Sequence, residues 1–103
     1  MREIQMLVEH IDGEIHDAEC YARLALEYRE RDRELADLFY RLSGEELDHM
    51  VRLHGQIARL IDARKKGGAE IPEAMLAVYE YLHKRQIDRT AEVAACQALY
   101  KNK

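Results

Sequence analysis

The sequence predicts an all-α chain in which two helices fold back as an antiparallel hairpin and a long third helix follows. Three observations carry that expectation. Apolar residues recur at steps of three and four along most of the chain, which is the period of a helical stripe. A single proline and five glycines leave few interruptions. A purely polar run at 29–34 and the pair Gly67-Gly68 fall between the periodic segments, where chain reversals belong. At 103 residues the chain is one domain long, residues 1–103, because division sets in only beyond about 250 residues. Long helices at this size make thin rods, so burial improves when copies associate.

The first helix is expected over about 2–29. Ile4, Leu7, Ile11, Glu14, Ala18, Tyr21, Ala25 and Tyr28 form its stripe, with Glu14 the one charge in it. Asp32 is the N-cap for a second helix over about 33–66. Leu35, Leu38, Leu42, Glu46, His49, Leu53, Ile57 and Leu60 form the second stripe, broken in the middle by Glu46 and His49. Gly67-Gly68 suits a left-handed cap, and Pro72 suits the first turn of a third helix over about 72–100. Its best stripe is Met75, Val78, Tyr79, Leu82, Gln86, Val93, Cys96 and Leu99, with Arg89 set within it.

A formal charge of −4 and a pI near 5.7 argue against nucleic acid as partner, which calls for a basic face. The run Arg64-Lys65-Lys66 reads instead as cations at a helix C-terminus. No segment approaches the ~20 apolar residues of a membrane span, and Met1-Arg2-Glu3-Ile4-Gln5 is too polar for a signal peptide, so the expected location is cytoplasmic. Cys20 and Cys96 lack the paired spacing of a thiolate zinc site and read as reduced, half-buried thiols.

A carboxylate on a core-facing stripe is costly unless paired, hydrogen-bonded or bound to metal. Reckoned from a reversal near Arg31, Glu14 lies 17 residues before it and Glu46 lies 15 after it. Both therefore stand roughly 22–26 Å from the turn at ~1.5 Å per residue, facing each other. Glu46-Leu47-Asp48-His49 places a carboxylate and an imidazole on one helix face. With Glu14 they make half of a carboxylate-bridged dinuclear site. One imidazole among oxygen donors suits iron or manganese better than zinc. Glu80-Tyr81-Leu82-His83 repeats the motif on the third helix, but about a reversal near Ala69 it misses the height of His49 by roughly 9–14 Å. Glu92 lies nearer that height. Glu80, His83 and Glu92 thus rank second to Glu14, Glu46 and His49 as metal ligands. His10, His16 and His54 fall off the stripes or at their edges, with His16 the best placed to support a ligand. Gly13 and Gly44 would be justified by close helix approach beside a metal. Tyr21 reads as core, its functional version being a hydrogen bond to a ligand carboxylate.

The segment from about Gly13 to Leu60 resembles the ferritin-like superfamily, especially rubrerythrins and the short encapsulated ferritins. The likeness lies in Gly13-Glu14-Ile15-His16-Asp17-Ala18-Glu19-Cys20-Tyr21-Ala22, in Leu42-Ser43-Gly44-Glu45-Glu46-Leu47-Asp48-His49, and in the 32-residue separation of Glu14 and Glu46. The resemblance implies a di-iron centre with Glu14 as a terminal or bridging ligand, Glu46 bridging and His49 terminal. It further implies oxidation of ferrous iron by dioxygen or peroxide. A full ferritin-like chain repeats the set on a third and a fourth helix, and no fourth helix is expected here. By likeness to the short members, a homodimer is expected to complete the four-helix bundle. An encapsulating shell is a further candidate partner, although Lys101-Asn102-Lys103 offers no separable targeting peptide. The alternative of a different class is a structural or interaction module that keeps the hairpin without redox chemistry, its mid-stripe polar groups setting helix register.

Overall fold

Reversal and capping signals lie where local chemistry requires them. Asp32 takes an extended conformation and its carboxylate accepts a hydrogen bond from the Leu35 N–H at 3.1 Å, while the amides of Arg31 and Asp32 donate to the Tyr28 carbonyl. At the second reversal Gly68 adopts φ +80°, a conformation that L side chains strain to reach. The Gly67 and Gly68 amides bond back to the carbonyls of Ala63 and Lys65. Pro72 stands as N-cap of the third helix, one position ahead of its expected place in the first turn. The computed structural model describes residues 2–68 and 70–102; Met1, Ala69 and Lys103 lie outside the described residues, and with Ala69 the pivot assumed for the second reversal. Among the described residues there are three helices and no strand: α1 (Arg2–Tyr28), α2 (Arg33–Lys66) and α3 (Glu73–Lys101).

The helices make a rod. Its principal extents are 56 × 18 × 18 Å with a Cα radius of gyration of 16.6 Å, against about 13 Å for a compact domain of this length. α1 is the central element, packed along α2 and more lightly along α3, while α2 and α3 touch little. The main core is therefore mostly α1: Ile4, Leu7, Val8, Ile11, Ile15, Ala18 and Ala22, closed by Ile57 of α2 and Val93 of α3. A smaller cluster of Ala25, Ala36 and Tyr100 lies toward the first turn.

Ile4, Leu7, Ile11, Ala18 and Ala25 of α1, Leu53, Ile57 and Leu60 of α2, and Tyr79, Leu82, Gln86, Val93 and Cys96 of α3 lie in or against the core as expected, and the stripes depart from expectation at the positions between them. On α1 the step from Ile11 runs four residues to the fully buried Ile15, not three to Glu14, and the next runs from Ala18 to Ala22, not Tyr21. Both paths have helical period; the one taken is wholly apolar, and Glu14 and Tyr21 are left at its edge. On α2 the packed face carries Ala36, Ser43 and Ile57, with Leu47 and Met50 against the core. Leu38 is 42% exposed, and Leu35, Leu42 and Glu46 are half-buried. On α3 Val78 and Leu99 face outward and Tyr100 is buried in place of Leu99.

Polar groups, more than an apolar stripe, fix α3. Buried Gln86 donates to Asp12 at 3.0 Å and to the Val8 carbonyl at 3.4 Å. Arg89 reaches the same Asp12 carboxylate at 3.5 Å, which accounts for a cation within the stripe. Ser43 donates to the Ala18 carbonyl at 2.7 Å and accepts from Gln97 at 2.8 Å, tying the three helices at one level.

Gly13 and Gly44 meet no close helix: a Cβ at either would find nothing within 4 Å. The expected close approach does not occur within the chain. Gly13→Ala is accordingly expected to stabilise the chain by about 0.5–1 kcal/mol through lower unfolded-state entropy, read as a higher urea midpoint.

Candidate metal centre

The hairpin brings Glu14 of α1 opposite Glu46 and His49 of α2, and one donor atom from each lies within 4.8 Å of the others. His49 Nδ1 is 3.2 Å from Glu14 Oε2 and 4.0 Å from Glu46 Oε1. The i, i+3 spacing aims both α2 side chains at α1, and the antiparallel register supplies the level. The Glu46 and Glu14 side chains are only 18% and 25% exposed, whereas that of His49 is 51% exposed. The centre thus opens along the face that carries Leu38 and Leu42, at the hairpin's surface and not at the centre of its core.

The two carboxyls share a hydrogen bond and divide their acidity. Glu14 is held below the usual carboxylate range by its hydrogen bond with Glu46 and by His49. Glu46 is pushed up to about 7 by the Glu14 carboxylate and by burial. Two carboxylates this close repel when both are ionised, so one proton, or a cation, is favoured between them. The donor set of two carboxylates and one imidazole fits an oxygen-preferring transition metal such as iron or manganese. Three donors do not fill a six-coordinate shell, so an ion held here would need water or further donors to complete it.

The second-rank residues stay apart from this cluster. Glu80 and Glu92 are exposed on α3, and His83 packs against His54 of α2 with ring centroids 4.2 Å apart. His10, not His16, lies close enough to act on the Glu14 charge; His16 instead lies 3.7 Å from the Cys20 thiol. Tyr21 stacks on Phe39 at 6.1 Å and has no hydrogen bond to either carboxylate among the described residues. The His54–His83 contact eluded the stripe reading because neither residue interrupts a clean apolar row. The height arithmetic would have found it: about Ala69, His54 lies 15 residues back and His83 14 forward. Burial and the neighbouring His83 push His54 below its usual range.

No protein-family model, curated protein or solved structure matches the chain. Among the described residues no helix is long and apolar enough to cross a membrane.

Proposed function

We propose that this chain is a ferritin-like, carboxylate-bridged di-iron protein whose two-metal centre forms where two hairpins meet about a two-fold axis. The observation that carries the reading is the convergence of Glu14, Glu46 and His49 on one open face. Leu38 and Leu42 continue that face along α2, and a second hairpin laid there would bury them and supply the missing donors. By the resemblance Glu46 would be the bridging carboxylate, Glu14 a terminal or bridging ligand and His49 the terminal imidazole. The loss of the shared proton from Glu46 would give the charge that holds cations. Iron bound there would supply oxidation of the ferrous ion by dioxygen or peroxide. On the α1 side Glu14 also borders a surface hollow lined by Glu9, His10, Gly13 and Asp17, whose three carboxylates would attract incoming cations.

Anaerobic titration with ferrous iron tests the reading. About one iron per chain is expected when two chains share two metals, with dimers favoured over monomers, and the Glu46→Ala/His49→Ala variant should bind none at this site. Undiminished binding in that variant, or no binding by the native chain, refutes it. The internal hydrogen bond between His49 and Glu14 favours a second reading, a register-setting structural module. That module would melt and associate identically with and without iron or manganese.

A further inference from the structure

α2 carries another pair of potential ligands on a different side. His54 is five residues beyond His49, which turns it about 140° around the helix axis. There its Nε2 and Nδ1 of His83 from α3 share a hydrogen bond, with the rings tilted by 32°, and the two nitrogens can hold one ion once that bond opens. The pair borders a cavity of about 250 Å³ lined by Met50, Val51, His54, His83, Gln86, Ile87 and Thr90. Met50 stands one turn before His54 on the same face. The Thr90 hydroxyl, buried in this wall, has no hydrogen-bond partner among the described residues. Two imidazoles from different helices, a thioether beside them and an unused hydroxyl are more than apolar packing needs.

We propose that His54 and His83 bind a monovalent copper ion, with the Met50 thioether as third donor. The donor set selects the ion. Zinc and divalent copper or nickel would need water or further donors to reach four or more ligands in this largely apolar wall, whereas cuprous ion is satisfied by two or three, and thioether sulfur favours it. The cavity gives the ion an apolar surround with access from solvent between Val51 and Ile87, both more than half exposed. This centre shares no ligand with the Glu14, Glu46 and His49 cluster.

Anaerobic titration with Cu(I) against a chromophoric cuprous chelator tests the assignment. One tightly held copper per chain is expected. It should be lost in His83→Gln and in His54→Gln, weakened in Met50→Leu, and retained in Glu46→Ala/His49→Ala and in Cys20→Ala/Cys96→Ala. Circular dichroism on each variant separates lost ligands from lost helix. Should the histidine variants unfold, silver(I) added to the native chain replaces them: ring-nitrogen NMR signals of His54 and His83 should shift together at one equivalent, ahead of those of His10, His16 and His49. Absence of tight copper, loss of it with the cysteines, or silver shifts confined to other histidines overturns the proposal.

Discussion

Ile15→Ala is expected to destabilise the chain by about 2–5 kcal/mol, the usual result of truncating a fully buried aliphatic side chain. Ile15 has no exposed surface and sits in the middle of α1, in the cluster that Ile57 and Val93 close from the other helices. A rod 18 Å across has little depth from which neighbours could collapse into the void. At roughly 4–8 °C per kcal/mol for a domain near this size, thermal unfolding should fall by at least about 8 °C. The adjacent position supplies the contrast. Glu14→Gln changes a residue at the edge of the face and is expected to alter metal-free stability by less than about 1 kcal/mol. Both variants should be melted over a range of protein concentration, so that association is separated from folding. A large loss in Glu14→Gln with little loss in Ile15→Ala would mean that Glu14 and not Ile15 faces the core, reversing the rotation of α1.

That rotation marks how much of the fold the sequence expressed. Helix ends were legible because caps are local chemistry: Asp32, Gly67-Gly68 and Pro72 act through the backbone within a turn of themselves. The level of Glu14 against Glu46 was legible for a similar reason, since helical rise converts residue counts into height once the reversal is located. Which face turns inward was not, because α1 offers two paths of equal period and the choice depends on where two other helices lie. Leu38 and Leu99 show the same effect from the outside, as apolar residues in phase with a stripe that packing did not use. α3 was least legible. Its position is set by Gln86, Arg89 and Gln97 finding Asp12 and Ser43, pairings between residues more than fifty positions apart that no local pattern announces.

Proton and metal should act on stability in opposite directions at the Glu14–Glu46 pair. In the metal-free chain Glu46 is raised from its ordinary 4.5 to about 7, so between those values the folded state binds more protons than the unfolded state. Its contribution is therefore fully present below about pH 4.5 and is lost as pH rises through about 7. Glu14, being lowered, works in the opposite sense but below its ordinary 4.5. His54, lowered from 6.5 by burial, disfavours the folded chain as acid is added, so the Glu46 contribution must be read as a difference. The native chain minus Glu46→Gln is expected to gain stability from about pH 8 to pH 5. With ferrous iron or manganese present the slope reverses, because the ion needs the deprotonated carboxylate and the proton competes with it. Free metal at a hundred times its dissociation constant adds about 2.7 kcal/mol, a rise of roughly 10–20 °C in melting temperature at the size scaling for small domains. That rise should be large near pH 8, fade toward pH 5, and be absent from Glu46→Gln/His49→Gln at either pH. A metal-induced rise that is equal at both pH values, or that survives in the double variant, would place the ion elsewhere and leave the carboxyl pair a register device within the hairpin.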